Sequence, residues 1–581
     1  MSVLRVWNLR RGDDDDNRSS PYGGGFRSLI LSAVFEFNYL KAPIGFFALV
    51  IGPALLVGIT PSIVLSYGQL LLHGVGVARS RIVSGLGLFA ALAVLAVWFG
   101  KPLLKAAIIR YRHLHYTLVF PLFVGLREFL VTVAEYLRSR SMSTEELGRQ
   151  RRICTVVAAL LFTAAGLALA FGIEFSVGLK LVHTEQVRLW PTVKAALGNA
   201  AVIVGISTVF ESLLWVWLEI RYSGPAIDWI PKPLPSVSRN VRVAHLSDLH
   251  VVGERYGFRM ESGTRGPRGN RCFRNALRKI ASIDYATPLD RIVVTGDVTD
   301  AGTRAEWAEF LDILRAYPEI RSRLSFVPGN HDINIVDRTN PARLDLPWST
   351  GIALRKLRVV LAFDDVQGER AHLVEPSSGT IGPTLKEYLR DGDRWRLLRE
   401  LADRGSLRGR VEVARTWKAI FPLVEPAATD DGYGLILLDS NAPSHLSLTN
   451  ALGVISTRQL NAVMSLLRRN PELAWIILLH HQVVEYPVAS ISLRDRIGLA
   501  LVNAPALLAA IAPHAPRIIV LHGHRHRDWI GTCRNVVLAS APSVTMGSEK
   551  EKYVGSFHVD ELSLGADGNI RLNSTRRVKV S

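Results

Sequence analysis

Cysteine is scarce: Cys154, Cys272 and Cys533 are the only three in 581 residues, far apart and without a CxxC pair. That excludes a disulfide framework and a zinc ribbon, is compatible with a reducing compartment, and leaves the thiols as small apolar packing residues. The N-terminus lacks the pattern of a cleavable signal peptide. Residues 1–28 are polar, with Arg10, Arg11 and the run Asp13–Asp16, and read as a solvated, disordered tail. Acidic residues fall short of basic ones, 51 against 69, for a formal charge of +18. Such a balance suits nucleic acid or an anionic membrane face. Basic residues interleaved with aromatics, the pattern that stacks single-stranded bases, are missing, so no nucleic-acid partner is expected.

Apolar residues are abundant, with a mean hydropathy of +0.20, and the excess collects in the first ~220 residues. Ile44–Tyr67 runs without a charge, and Leu86–Phe99 with its flanks makes a second stretch. Ile153–Ile173 is a third, and Ala195–Ile220 a fourth with the carboxylate Glu211 inside it. Each reaches the roughly 20 residues needed to cross a hydrocarbon core. Four spans are therefore expected within residues 41–222, after a cytoplasmic leader over 1–40. Glu211 is read as structural, since no partner for it is identifiable.

Basic residues set the orientation. The leader carries Arg5, Arg10, Arg11, Arg18, Arg27 and Lys41, and ten more lie between the second and third spans, from Lys101 to Arg152. The other two connections hold Arg79, Arg81, Lys180, Arg188 and Lys194. The positive-inside rule then puts the N-terminus, and with four spans everything after Arg221, in the cytoplasm. Tyr116–Leu137 is also apolar but holds Arg127, Glu128 and Glu135, which would each cost about 2.5–3.5 kcal/mol near a bilayer centre. It reads as an amphipathic helix lying in the interface; the alternative, a fifth span, would put the catalytic domain outside the cell.

Pro225, Pro231, Pro233 and Pro235 interrupt any helix over 223–238, which is the expected linker. Beyond it, short β-branched runs end abruptly in polar residues. Val241–Leu246 precedes Ser247-Asp248-Leu249-His250, and Arg291–Thr295 precedes Gly296-Asp297-Val298-Thr299-Asp300. Leu324–Pro328 precedes Gly329-Asn330-His331-Asp332. Ala474–Leu479 ends at His480-His481, and Arg517–His522 at Gly523-His524-Arg525-His526. Runs of this kind are buried strands, and their ligand-type residues fall at the carboxyl ends, where α/β sheets build their sites.

The set D-x-H, GD-x-x-D, G-N-H-D, H-H and G-H-x-H, in this order across residues 241–541, resembles the calcineurin-like metallophosphoesterase superfamily. The resemblance implies an α/β four-layer sandwich over 239–581, behind the N-terminal α-helical transmembrane bundle. It also implies two divalent metal ions, Mn, Fe or Zn. By it, Asp248, His250 and His526 match ligands of the first ion, Asp297 the bridging carboxylate, and Asn330, His480 and His524 ligands of the second. Chemistry asks for the same residue types: two cations roughly 3.5–4 Å apart clamp the attacking and leaving oxygens of an in-line displacement at phosphorus.

The tandem His480-His481 is ambiguous from the strand alone, because neighbours point to opposite faces; the family pattern favours His480. His331 matches the histidine that protonates the leaving oxygen, and Asp300 its orienting partner, although a loop-capping aspartate is the plainer role for Asp300. A hydroxide held between the metals would be the nucleophile. His245 is expected to be packed in its strand, His522 to lie behind the ligands, and His445 to be exposed on a loop. Residues 333–432 are expected to form a cap-like insertion.

The expectation is a membrane-anchored phosphohydrolase of the inner or plasma membrane with its catalytic domain in the cytoplasm. The G-N-H-D and G-H-x-H pair resembles the branch acting on cyclic nucleotides and glycerophosphodiesters, and the spans favour a lipid-linked phosphate. A nuclease, a phosphomonoesterase, and a non-catalytic sensing or transport protein are the alternatives.

Overall fold

The computed structural model describes residues 120–138, 144–177, 189–222, 227–231, 234, 236–253, 270–334, 350–429, 432–442, 451–484, 501–545 and 555–580. The expected leader, the stretches Ile44–Tyr67 and Leu86–Phe99, and His445 lie outside them. Contacts divide the chain into two units, with residues 221–581 in one and residues 149–220 in the other.

The helical unit contains Phe120–Arg138, most of Thr144–Val177 and nearly all of Leu189–Tyr222. Gly148–Gly172 and Leu197–Tyr222 are long and apolar enough to cross a membrane, and contain the third and fourth expected stretches almost entirely. These two helices approach closely at Gly166 and Gly205: a Cβ on Gly166 would stand 2.7 Å from the Gly205 carbonyl oxygen. Small residues permit such backbone proximity, and a Thr163–Ser212 hydroxyl hydrogen bond of 2.9 Å joins the same pair of helices.

Phe120–Arg138 departs from the interfacial expectation. A helix lying in an interface turns its charges to water, but here Arg127 and Glu128 are 6% and 0% exposed. Glu128 Oε1 receives Arg127 at 2.9 Å and Arg151 at 2.6 Å, and Arg127 also reaches Glu219 at 3.2 Å. Pairing inside the unit compensates the burial that the sequence counted as a cost.

The second unit is built on fourteen described strands. These are β1 (Ile227–Asp228), β2 (Arg239–Leu246), β3 (Arg291–Val294), β4 (Leu324–Phe326), β5 (His372–Val374), β6 (Ile381–Thr384) and β7 (Leu423–Glu425). They continue with β8 (Tyr433–Leu437), β9 (Ala474–Leu478), β10 (Ile518–His522), β11 (Trp529–Cys533), β12 (Val536–Ser540), β13 (Ser556–Leu564) and β14 (Ile570–Lys579). A nine-stranded sheet runs β1-β11-β12-β10-β9-β8-β7-β5-β6, and a five-stranded sheet β14-β13-β2-β3-β4. β2, β3 and β4 are parallel, as are β8, β9, β10 and β12, so their carboxyl ends collect on one rim.

Alternation shows why the nine-stranded sheet is covered on both faces. Leu435, Ile476, Leu478 and Leu521 join one core with Val241, Ile292 and Phe326 of the other sheet. Their neighbours Ile436, Ile477 and Val520 join a second core with Leu466 and Leu507 from the helices Thr457–Arg469 and Ala504–Ile511. This is the expected α/β sandwich, and the structure adds that its sheets are mixed.

Two expectations change here. The proline-rich linker contributes β1, which pairs with β11 and is held further by Trp229 N–H to the Ile530 carbonyl at 3.2 Å. The region expected as a cap is largely continuous with the domain. The helix Thr350–Gln367 buries Leu354, Leu357 and Phe363 in the main core, and β5, β6 and β7 extend the sheet in antiparallel fashion. Its hydrophobic positions need that core, because a helix apolar around most of its circumference is stable only inside one.

Candidate metal centre

Strand ends deliver the site, and they do so through unusual backbone. Among the described residues, seven non-glycine positions have positive φ, and five of them are Asp248, His250, Asp297, His524 and His526. Left-handed backbone at a non-glycine residue costs of order 1–3 kcal/mol and persists where surrounding structure enforces it, typically at functional sites. The other two, Arg534 and Asn535, form the tight turn between β11 and β12. Glycine at 329 is required by proximity, because any Cβ there would run into the Asp297 carboxylate.

The side chains gather in two principal groups: Asp248, His250 and His526, and Asp297, His480 and His524. In the first, His526 Nε2 lies 3.2 Å from Asp248 Oδ1, and the His250 and His526 rings are 5.5 Å apart. In the second, His480 Nε2 lies 3.3 Å from Asp297 Oδ2 and 3.1 Å from both Asn330 Oδ1 and His524 Nδ1. His250 Nε2 stands 3.9 Å from the same Asp297 oxygen, so Asp297 sits between the groups. His480 Nδ1–H donates to the Thr295 carbonyl at 2.8 Å, which turns the lone pair of Nε2 toward the other acceptors. His481 faces elsewhere: its Nδ1 meets Ser440 Oγ at 2.8 Å.

Lone pairs here outnumber protons. Asp248 Oδ1, both His250 nitrogens and His524 Nε2 are buried without a hydrogen-bond partner. Against burial, which lowers it, the charges of Asp297 and Asp248 push His480 up to about 9, a sign that this pocket attracts positive charge. Buried acceptors facing one another call for cations. The imidazole, carboxylate and amide-oxygen set fits two divalent ions of the Mn, Fe or Zn kind.

His331 lies beside this centre and is the most open of the group with Asp300 and His250, its side chain 25% exposed. Its Nδ1–H donates to the Asp300 main-chain carbonyl at 2.7 Å. The expected side-chain pairing with Asp300 is not what holds it. That carboxylate is 4.0 Å from His331 Nδ1 and closer, 3.4 Å, to His250 Nδ1. Burial lowers the affinity of His331 for a proton, but the Asp297 and Asp300 charges outweigh it, and its pKa is raised.

Sequence reasoning gave no role to Asp332, the last letter of G-N-H-D. It is fully buried and accepts from Thr299 N, Thr299 Oγ1 and Gly329 N at 2.8, 2.7 and 2.9 Å, tying the Asp297 loop to the Asn330 loop. Its position in the motif was the available signal. Ser543 and Thr545, whose hydroxyls hold the Asp248 carbonyl at 2.8 and 3.1 Å, carried none.

Residues 241–528 match the calcineurin-like phosphoesterase family. A probable cyclic nucleotide phosphodiesterase of Coxiella burnetii is 27% identical over 104 residues, 18% of this chain and 37% of that protein, so the match spans little more than a third of that relative. Among solved structures, a dimetal phosphatase from Danio rerio aligns at 16% identity over 59% of this chain and 99% of its own, with a TM-score of 0.31. A putative 5'-nucleotidase from Staphylococcus aureus aligns at 13% identity over 59% and 54%, with a TM-score of 0.29.

Proposed function

Residues 241–528 belong to the calcineurin-like phosphoesterase family of metal-dependent phosphoester hydrolases, and from that premise we propose that the chain is a membrane-anchored phosphodiesterase. The observation that carries the reading is the meeting of Asp248, His250 and His526 with Asp297, Asn330, His480 and His524 on one rim, around the partly open His331. Asp248, His250 and His526 would hold one divalent ion, Asn330, His480 and His524 the other, with Asp297 between. Bound there, two such ions supply Lewis-acid charge stabilisation and activation of the attacking water.

The chain's own residues do the rest. His331 is the general acid: with Nδ1–H committed to the Asp300 carbonyl, Nε2 is the atom that passes a proton to the leaving oxygen. The charges of Asp297 and Asp300, which outweigh burial, raise its pKa and so favour the protonated form. Asp300 holds His331 through its main-chain carbonyl, while its carboxylate, which faces His250, adds to the charge that raises the His331 pKa. Asp332 locks the two loops that carry Asp297 and Asn330.

A diester is favoured over a monoester by the motif pair G-N-H-D and G-H-x-H, and by the name of the Coxiella burnetii relative. The apolar helices support attachment to a membrane, and the basic flanks support a cytoplasmic catalytic domain. Substrates are therefore sought among cyclic nucleotides and membrane-proximal or lipid-linked phosphodiesters. The test is a substrate panel on the full-length chain loaded with Mn, diesters against monoesters. Hydrolysis of monoesters alone would overturn the diester reading, and the absence of any metal-dependent hydrolysis would overturn the enzyme.

A further inference from the structure

A third group of metal-type side chains lies away from the rim. His245 on β2, and His558 and Asp560 on β13, are fully buried and bring one donor atom each to within 4.8 Å of the others. Strand geometry makes the grouping. Residues 558 and 560 share a face by the period of two, and the antiparallel register sets His558 directly opposite His245.

Hydrogen bonds decide what these atoms can do. The Thr295 hydroxyl donates to the Leu246 carbonyl, so its oxygen accepts from His245 Nε2–H at 3.0 Å, leaving a lone pair on Nδ1. The Asp528 carboxylate accepts from His558 Nε2–H at 2.9 Å, leaving a lone pair on that Nδ1 as well. Thr575 Oγ1 donates to Asp560 Oδ1 at 2.7 Å, leaving Oδ2. His245 Nδ1, His558 Nδ1 and Asp560 Oδ2 are buried without a hydrogen-bond partner. Three acceptors thus face one another with no donor among them.

Protons alone do not satisfy the group. His245 Nδ1 and Asp560 Oδ2 are 3.8 Å apart, beyond hydrogen-bonding distance. A trapped water donates two hydrogens, so it meets all three acceptors only when one of them also carries a proton. A cation at about 2.0–2.2 Å from each of three donors sets them roughly 3.3–3.8 Å apart, which the 3.8 Å pair already meets and which a pair at the 4.8 Å limit reaches by drawing in about 1 Å. The outer nitrogens are already held as metal-bound imidazoles are held, one by a hydroxyl and one by a carboxylate. Asp528 is 37% exposed, which gives the pocket an edge open to solvent.

From this arrangement we infer that the protein holds a third divalent cation, of the zinc type, between His245, His558 and Asp560. This cation is structural. It ties the C-terminal hairpin β13–β14 to β2, the strand that leads into Asp248. It is independent of whether the rim hydrolyses a diester.

The experiment is metal analysis of the full-length chain in detergent after saturation with Zn and exhaustive dialysis. Wild type is expected to retain about three equivalents and both Asp560→Asn and His558→Gln about two, while Asp297→Asn keeps the site at His245 occupied. Anomalous diffraction at the zinc edge on wild-type crystals reads the position directly, and decides the matter even if the variants fail to fold. A peak among the three side chains supports the assignment. A water there, or about two equivalents in wild type with no change in His558→Gln, overturns it.

Discussion

In the helical unit Leu160, Phe171, Phe210 and Trp217 face outward, while Arg127 and Glu128 are buried with Arg151 and Glu219 around them. In the phosphoesterase domain Val241, Ile292, Ile476 and Leu478 fill the interior, and the polar constellation sits where parallel strands end. Polar and apolar residues are thus arranged in opposite senses in the two units. Under the proposed membrane attachment, apolar surface costs nothing outside, and specificity is supplied by a few charges and small residues inside. Where water is outside, apolar packing supplies stability, and charge is tolerated only where it binds something.

The comparison predicts that damage to one unit spares the other. The largest effect is expected at the rim. His331→Ala lowers phosphodiester turnover by about 10²–10⁴-fold while bound metal stays near the wild-type amount, as steady-state kinetics with elemental analysis would read. Undiminished turnover would remove His331 from the chemistry.

Glu128→Ala removes the acceptor that Arg127 and Arg151 share in the helical unit, leaves Arg127 with Glu219, and destabilises the unit by up to about 3–5 kcal/mol, measured as a loss of thermal stability in detergent. Turnover by the folded fraction is expected to stay within about twofold, since the rim belongs to the other unit. A loss of kcat in protein that remains folded would break the division between the halves. Gly205→Leu places a side chain against the Gly166 carbonyl and is expected to cost about 1–3 kcal/mol in the same assay.

Asp300→Asn sharpens the account of the rim. The main-chain carbonyl that holds His331 survives the substitution, so the fall in turnover is expected to stay below the roughly 10²-fold floor set for His331→Ala. An equal fall would return the orienting role to the carboxylate.

The smallest effect concerns pH. Burial, then the charge of Asp300, pushes Glu306 up to about 8 from an ordinary 4.5. A carboxyl whose folded pKa is raised binds more protons in the folded than in the unfolded state between those values. Its stabilising contribution is present below pH ~4.5 and is lost as pH rises toward ~8. Glu306→Gln should flatten that slope in denaturant midpoints measured across the window.

The sequence by itself determined where the strands end and which residue types stand there. Strand texture is local, and each motif follows its own strand directly, so the candidates at those strand ends were legible in the chain, and the family resemblance then implied Asp248, His250, Asp297, Asn330, His480, His524 and His526 as the ligand set. It also determined which stretches are long and apolar enough for a membrane, because hydropathy is additive along a segment. Only tertiary structure decided that His480 rather than His481 turns to Asp297, that Asp300 reaches His331 through its carbonyl, and that the supposed cap is core. The same holds for Glu128, whose partners Arg151 and Glu219 come from other helices, and for His245, whose neighbours lie more than 300 residues away. These outcomes depend on strand register and helix packing between distant segments, and no local pattern records which lone pair will face which.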